Sequence, residues 1–404
     1  MNARAIGSML VLMPTFAAAA TFRVPADYPT IQAALAVATA GDSVVVACGI
    51  YHEHGLVLPP GVTLLSQTRD STCVTIDGDG LGRVLSCQGP GQTVVQGLTI
   101  RGGHSFEGYG GGIYLTSASL ALTDCAIDDN FSRPSGDLVF GTGGGIYLAG
   151  SSLTVMRCSF ARDQTGGHSS NGGAISTESS TVVITDSSFD SNVTGAQSHS
   201  AGGALYGHSS SIDLTQCSFR SNYAQYGTGG AIELVGGESE IAFCTFVHNA
   251  AAPGGAGSGL AAGGTGTVVS ISHCTFASDW FSWNVVEADA GSSIAMKHCL
   301  VAFNQGQSVD AYRGGVVALA CTDMYGNRVD WPAEIADQQN QNGNLSLDPL
   351  FCNLAADDFH LQWGSPCLPQ NSSGCDLIGA FSFGGCASVA VEPESWGGLK
   401  AKYR

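Results

Sequence analysis

Acidic and arginine residues recur at matching places in the middle of the chain, and their types are suited to acid–base or metal-assisted chemistry. They form two series that run four residues apart. The first series is Asp124, Arg157, Asp186 and Gln216. The second series is Asp128, Ala161, Asp190 and Arg220.

Two kinds of catalysis fit these residues. Asp128 and Asp190, if they lie two strands apart at about 9.6 Å, approach the carboxylate separation of an inverting glycoside hydrolase. In a lyase, Asp124, Asp186 and Asp190 would instead hold a Ca²⁺ ion that acidifies a uronide, while Arg157 takes the proton. The simpler interpretation is that the arginines cancel repulsion between stacked carboxylates.

Three tyrosines form another candidate site, for binding rather than catalysis. Tyr114, Tyr147 and Tyr206 each follow a buried aliphatic residue, with Ser176 at the equivalent place between them. We expect these side chains to face outward in one row, where aromatic faces beside polar groups suit sugar rings. The alternative is that each tyrosine covers a neighbouring turn.

Internal repeats determine which elements must position these residues. A Gly-Gly-small-aliphatic motif, as in GGAI at 172–175, alternates with a motif that ends in Asn or Asp, as in FDSN at 189–192. Marked at the Cys or Ser of the second motif, the repeats are 33, 29, 30, 27, 30 and 25 residues long. One supersecondary unit per repeat is therefore predicted.

Apolar residues within each repeat alternate with period two, which predicts short strands. Repeats of this length, with glycine-rich turns, favour an all-β fold, a single-stranded right-handed parallel β-helix. The segment IQAALAVATA after Thr30 predicts an N-terminal helical cap. Helical solenoids are excluded because the apolar spacing of helices is absent.

Stacked coils turn each repeat position into a ladder. The repeated cysteines are predicted to be small core residues beside a column of phenylalanines, rather than metal ligands. The terminal Asn and Asp residues are predicted to bond from coil to coil at the turns. His52 with His54, and His273 above His298, have no evident third ligand, so we predict no metal site.

Composition limits the class of partner. The chain has 15 Lys and Arg against 33 Asp and Glu, a formal net charge of −18, and its lysines lie only at 297, 400 and 402. Nucleic acid and anionic membranes both require a basic face, so we expect neither as a partner.

Residues 1–20 have the pattern of a signal peptide, and no later stretch is long and apolar enough to predict a transmembrane segment in the mature chain. We predict a cap helix and first coil over 21–60, the β-helix over 61–350, a Cys-rich end over 351–386 and a flexible tail over 387–404. The disulfide candidates at this end are Cys352, Cys367, Cys375 and Cys386.

The paired motifs GGA[ILV] and FxxN resemble the polymorphic outer membrane protein repeats, over roughly residues 98–304. More broadly, the chain is similar to the pectin-lyase-like right-handed β-helix proteins. The resemblance implies a secreted or bacterial cell-surface protein of adhesin type. Because the same fold also hosts polysaccharide lyases and hydrolases, fold alone does not determine function.

The sequence therefore predicts a non-catalytic adhesion, glycan-binding or surface structural role, without a cofactor. The expected partner is an extracellular polysaccharide or a cell-surface component. The alternative is a polysaccharide lyase or glycoside hydrolase that acts on an acidic polysaccharide, with Ca²⁺ as the cofactor of a lyase.

Overall fold

The structure is a computed structural model that describes residues 18–135, 140–251, 254–280, 282–372 and 374–386. Most of the predicted signal peptide and all of the predicted tail over 387–404 lie outside these residues. Within them, no helix is both long and apolar enough to cross a membrane.

Short parallel strands dominate, as the period-two pattern predicts, and the largest group is a 20-stranded sheet, here the first sheet. Most coils contribute two consecutive strands to it, separated by a bend. Its strands are Thr21–Val24, Ser43–Val46, Leu56–Leu58, Thr63–Ser66, Leu85–Gln88, Gln92–Gln96, Ile113–Thr116, Ser119–Thr123, Ile146–Ala149, Ser152–Met156, Ile175–Glu178, Thr181–Thr185, Leu205–His208, Ser211–Thr215, Ile232–Ala242, Leu260–Ser272, Asn284–Ala288, Ser293–Lys297, Gln307–Ala311 and Val316–Ala320.

The second sheet follows the first in each coil and has 11 strands. They are Gly49–His52, Val74–Asp77, Thr99–Arg101, Ala126–Asp128, Ser159–Ala161, Ser188–Asp190, Ser218–Arg220, Thr245–Val247, Thr275–Ala277, Leu300–Ala302 and Asp323–Tyr325.

The third sheet closes the coil with seven strands. They are His104–Ser105, Phe131–Ser132, Phe140–Thr142, Gln164–Asn171, Val193–Ala201, Tyr223–Thr228 and Ala250–Ala251. All pairings among the three sheets are parallel, for example Ile146 with Ile175 and Ile175 with Leu205. The predicted right-handed parallel β-helix is confirmed.

Stacked apolar side chains fill the interior. Phe160, Phe189, Phe219, Phe246 and Phe276 are fully buried and stack ring on ring, with centroids 4.4 to 5.0 Å apart. The column of repeated cysteines runs beside them, and these thiols are buried and free. Both ladders predicted from the repeats are confirmed as core architecture.

The Asn ladder joins neighbouring coils at the turn between the second and third sheets. The side chain of Asn192 accepts a hydrogen bond from the backbone N–H of Asp163 at 3.0 Å and donates to the carbonyl of Phe160 at 3.1 Å. Asn222 repeats this arrangement one coil further on. These bonds satisfy backbone groups that the turn would otherwise bury without partners.

The Gly-Gly motif marks the turn that enters the first sheet. Gly172 has φ +59°, in the left-handed region that glycine adopts without strain. A Cβ atom on Gly173 would overlap the carbonyl oxygen of Gly203 in the next coil. Close stacking of successive turns therefore requires glycine at this place.

The predicted N-terminal helix is present as Ile31–Leu35, shorter than its apolar pattern. Thr30 caps it, and the Glu53 carboxylate accepts the N–H groups of Ile31 and Gln32 at 2.8 and 2.9 Å. Ile31 and Leu35 pack into the core at this end of the solenoid.

The C-terminal segment folds back over the outer face of the second sheet. It contains the antiparallel strands Phe351–Asn353 and Asp358–Leu361, and short 3-10 turns at Ala336–Gln338 and Leu354–Ala356. Its apolar residues, among them Phe359 and Ile378, form a second core with Val247, Ala277 and Ala302. The far end of the second sheet is therefore buried on both faces.

The disulfides of this segment differ in part from the prediction. Cys352 bonds Cys386, as the candidate set allows, but Cys375 bonds Cys321, which lies outside that set. Cys367 is not in a disulfide, because it lies buried in the second core, where its thiol contacts the Asp323 carboxylate at 3.2 Å. A further disulfide that the sequence analysis missed joins Cys48 and Cys73 in neighbouring coils.

Candidate functional site

The first predicted series occupies the turn between the first and second sheets. Asp124, Arg157 and Asp186 all have positive φ and stack in successive coils, and with Asp70 they line a shallow cleft of about 430 Å³. Arg157 donates two hydrogen bonds to Asp124, at 2.7 and 3.0 Å. This contact lowers the pKa of Asp124, so the carboxyl is ionised at neutral pH and the guanidinium is already bound.

The second predicted series lies on the outer face of the second sheet, in the register that the repeats predicted. Asp128 pairs with Ala161, Ala161 with Asp190, and Asp190 with Arg220. Asp128 forms an ion pair with Arg162, while Asp190 is exposed. The two carboxylates thus lie two strands apart on an open surface.

Arg220 does not turn to Asp190 but forms an ion pair with Asp357 of the C-terminal segment. The same carboxylate lies 3.0 Å from Nε2 of His248 and accepts a hydrogen bond from that nitrogen when it carries a proton. At this point the outward residues of the second sheet change from charged to apolar, with Val247 next in register after Arg220. The C-terminal segment therefore ends the open face here.

Near the N-terminus of the same sheet, His52, Asp77 and Asp79 each bring one ligand atom within 4.8 Å of the others. Asp79 lies 3.0 Å from the His52 ring nitrogen, and Asp77 forms an ion pair with Arg101 at 2.7 Å. His52 was a candidate from the sequence, but neither carboxylate was, because both come from the next coil. Because Arg101 also binds Asp77, the cluster is an ion-pair network.

The tyrosine row is present, but it is not uniformly exposed. Tyr114 pairs with Tyr147, and Tyr206 follows beyond Ser176. Tyr147 was predicted to face solvent and is instead only 8% exposed. Tyr109 packs against the ring of Tyr147, and the Tyr147 hydroxyl donates a hydrogen bond to Glu178 at 3.1 Å. Tyr147 therefore offers no free face.

Tyr114 is half-buried and carries the Arg83 guanidinium over its ring, 4.5 Å from the centroid. Of the three predicted tyrosines, Tyr206 alone lines a cleft among those described here. Burial and the nearby Glu233 raise the pKa of Tyr206 to about 12, so its hydroxyl stays protonated and able to donate.

The same row continues past Tyr206 into a set of carboxylates that the sequence analysis did not identify. Glu233 pairs with Tyr206, Ala261 with Glu233, Glu287 with Ala261, and Asp310 with Glu287. The motif GGAIEL, which places Glu233 where other repeats have Tyr, was a usable signal. Glu287 and Asp310 lie in coils that lack the Gly-Gly motif.

Two adjoining clefts contain these carboxylates, and together we call them the double cleft. One holds Tyr206 and Glu233 in about 570 Å³, and the other holds Glu287 and Asp310 in about 590 Å³. The two share Thr228 and Gly254 in their walls. Their volumes are those of ligand sites, and the long third-sheet strands that end near Asn171, Ala201 and Thr228 form one wall.

Exposed aromatic side chains border the double cleft. Tyr226, Trp283 and Tyr312 are 59%, 57% and 55% exposed, so part of each ring faces solvent at the border of the cleft. Tyr226 lines the Glu233 side, while Trp283 and Tyr312 line the Glu287 side.

Glu233 is in an environment that favours a neutral carboxyl. Burial, together with Glu287 and Asp289, raises its pKa to about 7, although the Thr228 hydroxyl donates to it. Among the described residues, none forms an ion pair with Glu233 or Glu287. Glu233 can therefore hold a proton at neutral pH and give it up to a bound ligand.

A buried amide holds the other two carboxylates. Asn284 accepts the backbone N–H of Gly257 through Oδ1 at 2.6 Å, so its Nδ2 must face the carboxylates. That Nδ2 donates to Glu287 at 2.7 Å and to Asp310 at 3.4 Å, which places the two acceptor oxygens no more than about 6 Å apart. Burial and their acidic neighbours raise the pKa of both groups.

Comparison with known proteins confirms the fold. The family described as right handed beta helix region matches residues 83–276, a little under half of the chain. No curated protein sequence matches the chain.

Among solved structures, the chain is similar to the pectate lyase Pel9A, at 11% identity and a TM-score of 0.53, over 92% of this chain and 98% of that one. A polygalacturonase from Erwinia carotovora ssp. carotovora has 14% identity and a TM-score of 0.44, over 84% and 98%. A mannuronic acid specific family 6 polysaccharide lyase from human gut microbiota has 13% identity and a TM-score of 0.34, over 82% and 92%. At these identities the likeness concerns the fold.

Proposed function

We propose that this protein acts on an extracellular polysaccharide, and that it hydrolyses the chain in the double cleft by acid–base catalysis. The observation that carries the proposal is the placement of Glu233 and Glu287 two strands apart in one row, in adjoining clefts with aromatic borders. The pectate lyase of similar fold acts on a polysaccharide, which supports the same class of substrate here.

Binding would come first, through the aromatic side chains. Tyr226 on one side and Trp283 on the other offer faces on which sugar rings stack, whereas the Arg313 guanidinium lies over the Tyr312 ring, 5.3 Å from its centroid. A polysaccharide that spans both clefts would cross Gly254, where the lack of a side chain leaves room for it. The chain would then lie along the solenoid axis, above the row of carboxylates.

Hydrolysis requires one carboxyl that is protonated and another group that takes a proton from water. Glu233, with its pKa near 7, would donate its proton to the glycosidic oxygen as the bond breaks. A water molecule would attack the anomeric carbon and lose a proton to the ionised member of the Glu287–Asp310 pair. One water is added per linkage, and solvent restores both carboxyls.

The separation of the groups favours inversion of the anomeric centre. Two strand spacings correspond to about 9.6 Å between the backbones of Glu233 and Glu287, near the upper end of the range for inverting enzymes. Asn284 would keep the Glu287 and Asp310 carboxylates at this distance, since it is buried and hydrogen-bonded to both.

Hydrolysis is favoured over elimination because the arginine that a lyase would need is not free. Arg157 is held by both oxygens of Asp124. The predicted Ca²⁺ site of Asp124, Asp186 and Asp190 remains the basis of a lyase hypothesis and makes a distinct prediction, unsaturated products that require Ca²⁺. The non-catalytic binding role expected from the sequence predicts retention without any product.

An extracellular location is part of the proposal. Three disulfides are present, one near the N-terminal end of the solenoid and two near the C-terminal end. Such bonds persist in oxidising compartments. The predicted signal peptide would deliver the chain there. Attachment to a cell surface, which the repeat resemblance implies, is compatible with a cleft that faces outward.

The test is incubation of the purified protein with plant, algal and bacterial polysaccharides, with and without Ca²⁺. New reducing ends, unsaturated uronides and retention on insoluble polymer are measured in parallel. We expect reducing ends without unsaturation, lost in Glu233→Gln and kept in the matched variant Asp190→Asn. Unsaturated products lost in Asp186→Asn would favour the lyase, and retention without product would favour an adhesive role.

A further inference from the structure

The double cleft differs in charge from the other outward faces of the solenoid. Glu233, Glu287, Asp289 and Asp310 all line it. Among the described lining residues, Arg313 is the single arginine or lysine, and both of its bonds run to Asp289, one at 2.8 Å. No free arginine or lysine in this lining is thus available to an acidic ligand, and the one histidine there is His199, on the Glu233 side.

A uronic acid polymer would meet a cost in this cleft. It carries a carboxylate on every ring, and each one would have to enter beside fixed carboxyls without a guanidinium or ammonium to neutralise it. Like charges a few ångströms apart repel more strongly when water is partly excluded, because the local dielectric constant is lower. Loss of water from the sugar carboxylate adds to this cost.

An uncharged sugar meets the opposite situation. Its hydroxyl groups can donate to Glu287 and Asp310, which are acceptors with one Asn284 donor between them. Its apolar ring face can cover the exposed ring of Trp283. The same carboxylates would also attract an ammonium group on a ring, and that attraction grows as they ionise.

We infer that the double cleft selects a polysaccharide without acidic groups, neutral or amino-bearing, and discriminates against polyuronates. This inference rests on the proposed function and specifies its substrate class. It also separates this protein from the pectate lyase whose fold is similar.

Matched polymer pairs test the inference because the members of each pair share one sugar backbone and differ in whether its substituent carries a charge. Polygalacturonate and its methyl ester form one pair, alginate and its ester another, and carboxymethyl and hydroxyethyl cellulose a third, with chitosan as the cationic member. Retention of the full-length protein is measured by affinity electrophoresis at low salt. We expect the uncharged or amino-bearing member of at least one pair to bind about tenfold more tightly than its acidic partner, a difference of about 1.4 kcal/mol.

Variants of the cleft locate the cause. Asp289→Asn frees Arg313, and we expect it to bring acidic polymers closer to their neutral partners, whereas Asp213→Asn, the same charge change on an exposed strand of the same sheet, should not. Trp283→Ala should weaken binding of both members alike.

Each outcome has a defined meaning. Preference for the acidic member overturns the inference and leaves the proposed function standing. If both members bind equally and Trp283→Ala abolishes that binding, the inference is also overturned, because the cleft would then bind polymers regardless of their charge. If no polymer is retained, or if Trp283→Ala changes nothing, the proposed function itself is overturned together with the inference.

Discussion

Twice in this solenoid the chain places a carboxylate, an alanine and another carboxylate on three successive strands of one row. On the second sheet the three are Asp128, Ala161 and Asp190, and on the first sheet they are Glu233, Ala261 and Glu287. The backbone spacing is the same in both. What surrounds each set is different, and the comparison shows that equal spacing does not give two acids the same environment.

On the second sheet, arginines accompany the acids. Arg101 precedes Asp128 in register, Arg162 binds it, and Arg220 follows Asp190. Asp128 is partly buried beside Arg162, whose own side chain is exposed, and ion pairs of this kind contribute little free energy. Asp190 in particular is exposed.

On the first sheet, the wall of the third sheet changes the environment. Its strands lengthen to eight and nine residues at Gln164–Asn171 and Val193–Ala201, and their ends line the cleft over Glu233. The acids are thereby partly withdrawn from water without gaining a cation. A raised pKa follows from burial, and with it the ability to act as an acid near neutral pH.

The largest expected effect comes from Glu233→Gln, which keeps the shape of the side chain but removes its proton. We expect turnover to fall by about 10²- to 10⁴-fold, the usual contribution of a general acid. Asp190→Asn should leave turnover unchanged. The measured kcat of the two variants shows which of the two rows contributes to turnover. Equal losses in both would contradict a catalytic role for the first-sheet row alone.

A smaller loss is expected for Asn284→Ala, because Asn284 positions Glu287 and Asp310 without touching the substrate. We expect a decrease in kcat of about tenfold to a hundredfold. Loss of the amide donor should also raise the pKa of Glu287. The acidic limb of the pH–rate profile should then move to higher pH.

Asn222→Ala is the control for Asn284→Ala, since Asn222 is equally buried and hydrogen-bonded but belongs to the ladder. Both variants should lose about 1–3 kcal/mol of unfolding free energy. Only Asn284→Ala should shift the pH profile. A shift in both would mean that general destabilisation is the cause.

The pH dependence of stability gives a third, smaller test. The pKa of Glu233 is raised to about 7 in the folded state, so its folded carboxyl holds a proton that the unfolded chain releases above about pH 4.3. Its contribution is therefore complete below that pH and is lost as pH rises through 7. The free energy of unfolding at pH 5 minus that at pH 8 should shrink in Glu233→Gln, by about 1–3 kcal/mol.

Urea unfolding of both proteins at the two pH values measures this difference. Asp190→Asn serves as the comparison and should retain the wild-type difference. An unchanged pH dependence in Glu233→Gln would show that the fold does not raise the pKa of this carboxyl.

The smallest effect is expected for Arg162→Ala. Burial raises the pKa of Asp128 and Arg162 opposes that rise, so the variant should raise it further, as NMR titration would show. Turnover should not change, and stability should fall by less than about 1 kcal/mol. Loss of turnover in this variant would indicate that the outer face of the second sheet is catalytic.

The repeats made most of the fold predictable, because each repeat position becomes a ladder whose side-chain type reports its place. Phe189, Cys217 and Asn222 were assigned correctly in this way. The registers of Asp128 and Tyr114 with their equivalents were also predictable. Period-two alternation places such residues on a face, but it does not say what covers that face.

The sequence did not predict which residues cover each face of the sheets. Tyr109, which forms an isolated β-bridge with Thr142, packs on Tyr147, and Val193–Ala201 is an extended strand although it has no clear period-two alternation of apolar residues. The C-terminal segment that covers Val247 shows no repeat. These contacts join residues whose types carry no periodic signal, so the double cleft could not be recognised before its walls were known.

The column of buried thiols has a consequence for the order of events when the chain matures. Cys217, Cys244 and Cys274 stand in neighbouring coils, and each thiol lies 3.4 Å or less from a backbone atom of an adjacent or its own coil. An oxidising compartment would pair such cysteines wrongly if it reached them before the coils had stacked. Refolding should therefore succeed when oxidant is added after collapse, and should yield trapped, cross-linked chains when oxidant is present from the start.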